Sequence, residues 1–147
     1  MSLFGIFDIA GSGMSAQSIR LNTTASNLAN AQSVSSSVDE TYKARHPVFA
    51  AAMDDAYGDS FKMQGGVADM AHKGVQVLGI VEDNSPYQMR YEPNHPMANE
   101  EGYVAYPNVN VVEEMTDMIS SSRSFQINVE VMNTAKTMMQ RVLSLGQ

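Results

Sequence analysis

The clearest pattern of apolar positions lies in the last third of the chain, where they recur alternately four and three residues apart. The repeat positions are Val111, Met115, Met118, Ser122, Phe125, Val129, Met132, Lys136, Met139 and Leu143. Eight of these ten are apolar, and this period is typical of a coiled coil. Because Asn110 and Glu113 also resemble a capping box, the pattern predicts a helix over 111–144. That helix would be roughly 50 Å long, which is too long for the body of a compact domain.

The first thirty residues carry a weaker stripe of related period. Phe7, Met14, Leu21 and Leu28 lie seven residues apart, which predicts a second helix over about 9–31. Two early glycines each weaken the beginning of this helix by up to about 1 kcal/mol. The many Ser, Thr and Asn residues of the segment leave a serine-rich, partly disordered terminus as the alternative.

The middle of the chain changes to the pattern of short strands. Residues 74–81 are rich in β-branched side chains, and apolar and polar residues alternate over 87–91. Turn-forming residues at 82–86 separate these runs, so the sequence predicts that the two form a hairpin. Residues 42–49 are a further candidate strand, and the acids and glycines of 54–66 predict an exposed loop.

Together these elements predict an α+β chain, in which long N- and C-terminal helices pair as a coiled coil beside a small β-hairpin and loop region. We expect an N-terminal helix in 1–32, a β-rich middle region in 33–109 and a C-terminal helix in 110–147. Each helix has one apolar stripe, so pairing covers only one side of each and leaves little core behind it. The pattern therefore favours a structural subunit of a larger, heterologous assembly.

The distribution of charged residues follows the same division into two ends and a middle region. The 147 residues carry 16 acidic and 9 basic side chains, a net charge of −7. Residues 32–110 contribute −6 and residues 111–147 contribute −1, whereas residues 1–31 are neutral overall. A helix so poor in charge is expected where other protein covers it on several sides. We expect the acidic middle region to face outward.

Composition excludes several classes of protein. The chain has no cysteine, which removes disulfides, thiolate nucleophiles and cysteine-based zinc sites. Its acidity argues against a nucleic-acid surface, and no run approaches the ~20 apolar residues of a membrane-spanning helix. The N-terminus lacks a basic region before its apolar residues, so it does not resemble a secretory signal peptide.

The side chains that could carry chemistry form no recognisable site. His46, His72 and His95 are widely spaced, without a metal-ligand motif. Adjacent acids occur at 54/55, 82/83 and 100/101, in polar segments where solvated surface is their usual role. Residues 54–66 also lack the ligand order of a calcium-binding loop. We therefore expect no catalytic residue, no cofactor, no metal site and no enzymatic activity.

Motifs at both ends resemble those of flagellar rod and hook proteins. Residues 16–22 (AQSIRLN) and 25–31 (ASNLANA) are similar to the signature that opens such chains. Residues 102–115 (GYVAYPNVNVVEEM) and 121–129 (SSRSFQINV) are similar to the family's C-terminal region. The short length and the segment YEPNHPMA resemble a proximal rod member most closely. The match covers about half of the chain, and the N-T-P-G-Y-K usual after the first motif is absent.

This resemblance implies an axial protein of the bacterial flagellum. Such proteins form the basal-body rod that spans the periplasm and transmits torque from motor to hook. They leave the cytoplasm through the flagellar type III export apparatus, without a cleaved signal peptide. The implied partners are other rod proteins, copies of the same chain, and MS-ring or export-gate components at the rod base. No nucleic acid is implied.

Candidate residues follow from their positions in the two helices. For pairing of the helices within one subunit we expect Met14, Leu21, Leu28, Val111, Met115, Met118, Phe125, Val129, Met132, Met139 and Leu143. For contacts between subunits we expect Asn22, Ser26, Asn27, Asn30, Arg123, Gln126 and Asn128. Uncharged amides and hydroxyls let neighbouring helices approach without burying unpaired charge.

The sequence therefore leads to one hypothesis and two alternatives. The hypothesis is a non-enzymatic structural subunit of the proximal rod. Another rod or hook axial protein is the alternative within the same class. A secreted acidic binding or hydrolytic domain with a helical stalk is the alternative from a different class.

Overall fold

The computed structural model describes residues 3–37, 40–52 and 74–145. Two long helices carry most of these residues, α1 at Leu3–Asn30 and α2 at Val111–Leu145. The strands between them are β1 (Arg45–Ala51), β2 (Val75–Glu82), β3 (Gln88–Tyr91) and β4 (Tyr103–Tyr106). The predicted α+β architecture, with helical ends and a small stranded middle, is confirmed. Neither helix in this part of the chain is long and apolar enough to cross a membrane.

Helix α2 has 35 residues and agrees with the predicted range to within one residue. Its start is set by Asn110, whose Oδ1 accepts a hydrogen bond from the backbone N–H of Val112 at 3.2 Å. Two glutamates lie in the first turn, Glu113 and Glu114, where the helix dipole stabilises negative charge. The local sequence is thus sufficient to begin this helix.

Helix α1 has 28 residues and begins at Leu3, six residues before the predicted start. The glycines at positions 11 and 13 do not interrupt it. A Cβ atom at Gly13 would lie only 2.9 Å from Nδ2 of Asn128 on α2. Glycine at this position therefore lets the two helices approach closely, and this contact offsets its low helix propensity.

The strands form two separate antiparallel pairs, β1 with β2 and β3 with β4. The candidate strand at 42–49 is confirmed as β1, but the predicted hairpin of β2 with β3 is wrong. The side chain of Asn108 donates hydrogen bonds to the backbone carbonyls of Asp83 and Ser85, at 3.1 and 3.2 Å. These bonds tie the connection after β2 to the segment before α2, so β3 pairs elsewhere. The loop predicted at 54–66 lies outside the described residues.

The actual hairpin joins β3 to β4 through a turn built by Asn99 and Gly102. The Oδ1 atom of Asn99 accepts hydrogen bonds from the backbone N–H groups of Glu101 and Tyr103, at 3.1 and 2.8 Å. Gly102 has a φ of 82°, a left-handed conformation that glycine adopts without strain. This turn places β4 directly before α2, so the hairpin is attached to the start of that helix.

The buried core contains only short side chains. Its hydrophobic members among the described residues are Ala10, Ala16, Ala44, Val104, Ala105, Val109 and Ala135. Among residues 5–37, 40–52 and 74–144, no leucine, isoleucine, methionine, phenylalanine or tyrosine side chain is buried. Large apolar side chains normally supply most of the stabilisation of a globular domain. In the described part of this chain they remain partly or fully open to solvent.

Candidate functional site

Asn27, near the end of α1, lies at the centre of the contact between the two ends of the chain. Its Nδ2 donates hydrogen bonds to the backbone carbonyl of Arg45 and to Oε1 of Glu114, both at 2.8 Å. Its Oδ1 accepts from the backbone N–H of Arg45 at 3.0 Å and from the hydroxyl of Tyr42 at 2.9 Å. These four bonds use the full capacity of the amide. We call Asn27, Tyr42, Arg45 and Glu114 the junction.

Glu114 brings a carboxylate into the junction, where it is only 4% exposed. Burial raises the pKa of Glu114 above its usual range, and the hydrogen bond from Asn27 opposes part of that shift. The second carboxylate oxygen, Oε2, is buried and has no hydrogen-bond partner among the described residues. The carboxylate is therefore held by one strong contact, which joins α1 to α2.

Local structure brings the junction residues together from three segments. The cap at Asn110 starts α2 so that the backbone N–H of Glu114 donates to the Asn110 carbonyl at 3.0 Å, one turn into the helix. The side chain of Asn108 accepts a hydrogen bond from the backbone N–H of Ala44 at 2.8 Å. The segment before β1 is thus fixed between the two helices, where Arg45 meets Asn27.

A line of small and polar residues extends from the junction along both helices. On α2 it consists of every seventh residue, namely Glu114, Ser121, Asn128 and Ala135, of which all but Asn128 are buried. On α1 the buried residues are Ala10, Ala16, Thr23, Thr24 and Asn27. We call these nine residues, together with Gly13, the seam. Its heptad spacing on α2 matches the predicted period, and a supercoil of the pair stays a prediction.

Two contacts fix the direction and register of the helices. Asn27 bonds to Glu114, and Gly13 lies against Asn128. In both pairs the residue number falls on α1 as it rises on α2, so the two helices run antiparallel. The two numbers add up to 141 each time, which means that residue i of α1 lies opposite residue 141 − i of α2.

Several polar atoms of the helix contact have no partner. Oγ of Ser121 and Oε1 of Gln17 are buried without a hydrogen bond among the described residues, as is Oε2 of Glu114. Each such atom costs about 1–3 kcal/mol of stability. Buried polar groups of this kind fix register at the expense of stability. The seam therefore fixes the relative position of the two helices and adds little net stability to their contact.

The β1–β2 ribbon is fastened along α1. The hydroxyl of Ser12 accepts a hydrogen bond from the backbone N–H of Val75 at 3.1 Å. The guanidinium of Arg20 lies 4.7 Å from the centre of the Phe49 ring, which is a cation–π contact. With the bonds of Asn27 to Arg45, these contacts hold the ribbon against α1 from residue 12 to residue 27.

The side of α2 turned away from the seam is rich in exposed apolar side chains. Their exposed fractions lie between 51% and 73%. We call this surface the outer face, and its apolar members are Val112, Met115, Ile119 and Ile127. Exposed apolar side chains grouped along one helix are typical of surfaces that bind other protein.

The residues expected to pair the helices lie beside the seam, and none of them is buried. Eight are half-buried, namely Met14, Leu21, Leu28, Met118, Phe125, Val129, Met132 and Met139. Three are exposed, namely Val111, Met115 and Leu143. Small residues in the seam bring the backbones close together, and the larger side chains are displaced to its flanks. A role in pairing stays a prediction for the half-buried group.

The residues expected between subunits divide differently. Asn22, Ser26, Arg123 and Gln126 are exposed, and Asn30 and Asn128 are half-buried, so their contacts with neighbours stay predictions. Asn27 needs correction, because its side chain is 0% exposed and all four of its bonds are made within the chain. Ser12, Asn108 and Glu114 were not predicted as contact residues, because polar side chains do not contribute to the spacing of apolar residues.

The residues considered for chemistry remain apart. His46 is exposed on β1 and His95 lies in the β3–β4 loop, whereas position 72 and the acids at 54/55 are outside the described residues. Asp83 accepts hydrogen bonds from the backbone N–H and hydroxyl of Ser85, which lower the pKa of its carboxyl. Within residues 3–37, 40–52 and 74–145, no three His, Asp or Glu residues are grouped to hold a metal ion.

Comparison with known families matches both ends of the chain that meet at the junction. The model described as flagella basal body rod protein matches residues 7–34. The model described as flagellar basal body rod FlgEFG protein C-terminal matches residues 100–145. The first segment contains Asn27, and the second contains Glu114.

Individual relatives match over the full length. The flagellar basal-body rod protein FlgC of Salmonella typhimurium is 47% identical over 147 residues, covering 100% of both chains. The protein of the same name from Escherichia coli O6:H1 is 47% identical over 149 residues, again covering 100% of both. That of Borreliella burgdorferi is 33% identical over 151 residues, covering 100% of this chain and 99% of its own.

Proposed function

This chain belongs to the FlgC family of flagellar basal-body rod proteins, and on that premise we propose how it works as a structural subunit of the proximal rod. A rod subunit assembles with copies of itself and with other rod components. The outer face of α2 makes these contacts, while the seam and junction set the shape of each subunit.

One observation carries this proposal: among residues 5–37, 40–52 and 74–144, every leucine, isoleucine, methionine, phenylalanine and tyrosine side chain is at least partly exposed. Burial of such a side chain is worth about 1.5–3 kcal/mol. A chain that leaves them open on its own gains that stabilisation when neighbours cover them. The outer face of α2 offers four exposed apolar side chains along one helix.

We further propose that the subunit transmits torque through rigid contacts between helices. The close approach at Gly13 and the saturated amide of Asn27 leave little freedom between α1 and α2. Torque delivered at one end would then rotate a subunit as a unit. The proposed place is the rod across the periplasm, reached through the flagellar type III export apparatus, with MS-ring or export-gate components as neighbours at its base.

The test uses Ile127→Asp in cells that lack the native chain. Ile127 is 56% exposed, so a carboxylate there stays hydrated in the lone subunit, and we expect a change in unfolding free energy below about 1 kcal/mol. In an assembled interface the same charge would be buried without a partner. We expect loss of rods in purified basal bodies and loss of swimming.

The matched control is Ile127→Leu, which keeps an apolar side chain of the same size and should restore rods and swimming. Normal basal bodies containing Ile127→Asp would overturn the proposed role of the outer face. If basal bodies purified from unmodified cells do not contain this chain, the assignment to the rod is wrong.

A further inference from the structure

The β3–β4 hairpin presents two tyrosines that the described part of the chain leaves open. Tyr91 and Tyr103 are partners across the two strands, and their ring centres lie 5.3 Å apart in an edge-to-face arrangement. They are 65% and 40% exposed. A Cβ atom at Gly102 would lie 2.9 Å from the Tyr91 ring, so glycine at this position lets the ring lie against the turn. The two rings therefore form an exposed aromatic surface that is held in place.

The same hairpin is acidic. From the start of β3 to the end of β4, the chain contains three glutamates and one arginine, a net charge of −2. The arginine, Arg90, lies 4.5 Å from the centre of the Tyr106 ring, and the Tyr106 hydroxyl donates a hydrogen bond to Glu92 at 3.3 Å. The other two glutamates, Glu100 and Glu101, are exposed and have no ion pair within the described residues. We call Tyr91, Tyr103, Glu100 and Glu101 the hairpin patch.

The middle of α2 carries the opposite charge. Arg123 is the one charged residue in 118–129, and it lies four residues from both Ile119 and Ile127, on the outer face. It is exposed and has no ion pair in the part of the chain that the structure describes. A depression of about 350 Å³ at this position is lined by Met118, Ile119, Ser122, Arg123 and Gln126. The outer face thus offers a partly apolar recess beside a positive charge.

Arginine and aromatic rings already pair repeatedly within the chain. Three cation–π contacts occur among the described residues, with 4.5 to 5.6 Å between guanidinium and ring centre: Arg20 with Phe49, Arg45 with Tyr42, and Arg90 with Tyr106. In the same residues, Arg123 lies over no ring, and Tyr91 and Tyr103 have no arginine over them. Arginine and tyrosine are also the residues that most often dominate the energy of protein interfaces. The outer face and the hairpin patch therefore each carry a group that the other can bind.

We propose that the hairpin patch of one copy docks on the outer face of α2 of a second copy. The ring of Tyr91, the more exposed of the two, lies in the depression beside Arg123, and Glu100 and Glu101 face the guanidinium. Opposite charges on the two surfaces favour their encounter and orientation. Because the two surfaces are different parts of identical chains, the contact is heterologous and continues from copy to copy. This inference rests on the proposed function and names the surfaces by which copies meet.

Charge reversal tests this contact in cells that lack the native chain. Arg123→Glu alone, or Glu100→Lys together with Glu101→Lys, places like charges opposite each other, and each should lower incorporation into basal bodies by about tenfold or more. A chain with all three substitutions has opposite charges again and should be incorporated to within about threefold of the native level. The matched control replaces Arg123→Glu by Arg141→Glu, another exposed arginine of α2, which should not restore the reversed hairpin.

Three results would overturn the docking. The first is normal incorporation of Arg123→Glu. The second is a defect in both reversed chains without recovery when they are combined, which would show that a different protein meets the outer face. The third is equal recovery with Arg141→Glu, which would reflect net charge alone. Each of these leaves the proposed function standing, whereas absence of the unmodified chain from basal bodies would contradict the proposed function.

Crosslinking decides the question even where the charge-reversed chains do not fold. The chain has no native cysteine, so Gln126→Cys at the depression and Glu101→Cys in the hairpin patch are expressed as separate chains without the native protein. Purified basal bodies are treated with a short bismaleimide, and we expect covalent dimers only when both variants are present. Thr137→Cys in place of Gln126→Cys is the control, because it lies roughly 17 Å further along α2, and should give no dimer. Basal bodies that contain both variants without a 126–101 dimer would overturn the docking.

Discussion

The two sides of α2 reverse the arrangement of a globular protein. The side against α1 carries Glu114, Ser121 and Asn128, whereas the opposite side exposes residues such as Ile119 and Ile127. In an ordinary domain the apolar side is internal and the polar side is hydrated. Under the proposed function, contacts within the chain set its geometry, while contacts between chains cover the exposed apolar side chains.

The largest loss of stability is expected when Asn27, at the contact between the two helices, is replaced. Asn27→Ala removes four hydrogen bonds, so that the backbone of Arg45 and the buried carboxylate of Glu114 lose these partners. We expect a loss of about 3–4 kcal/mol in unfolding free energy, measured by urea denaturation. Asn22→Ala is the control on the same helix, because Asn22 is exposed, and it should change stability by less than about 0.5 kcal/mol. Equal effects would show that the junction is not what joins the helices.

The charge of Glu114 gives a smaller, pH-dependent effect. Because burial raises its pKa above the usual 4.5, the folded chain binds this proton more tightly than the unfolded chain does. Stability should therefore fall as pH rises from about 4.5 through the folded pKa, and stay constant above it. Glu114→Gln should flatten that part of the stability profile, while Glu113→Gln should not. Parallel profiles for the native chain and Glu114→Gln would contradict a raised pKa in the junction.

The close approach at Gly13 predicts the smallest effect. Gly11→Ala meets no atom within 4 Å, so it should stabilise α1 by up to about 1 kcal/mol through helix propensity. Gly13→Ala brings the same gain, but its Cβ would lie 2.9 Å from Asn128 Nδ2 and must displace that side chain. We expect thermal unfolding to show a clear gain for the first variant and little or none for the second. Equal gains would show that the helices are not in close contact there.

The helices were predictable from sequence because their signals are local. The cap at Asn110 and the heptads that follow gave the range of α2 to within one residue. The strand pairing was not predictable, because the turn-forming residues 82–86 suggest a hairpin. Asn108, more than twenty residues away, instead holds the carbonyls of Asp83 and Ser85.

The residues buried between the two helices were not predicted, for a different physical reason. Apolar periodicity locates surfaces that leave water, but it does not tell whether the same chain or a neighbour covers them. Met115 and Leu143 fit the heptads and are exposed here, whereas Ser121 is fully buried. Asn27 was predicted to contact other subunits, but its hydrogen-bond partners lie within the chain.

The central claim is that other subunits cover the outer face of α2, and the reactivity of single cysteines tests it most directly. Ile127→Cys on the outer face and Ser85→Cys in the exposed middle region should react with a soluble maleimide at similar rates in the free subunit. In purified rods, we expect Ile127→Cys to react about tenfold or more slowly, since interface cores pack as densely as protein interiors, while Ser85→Cys stays reactive. An unchanged rate at position 127 on assembly would contradict the account.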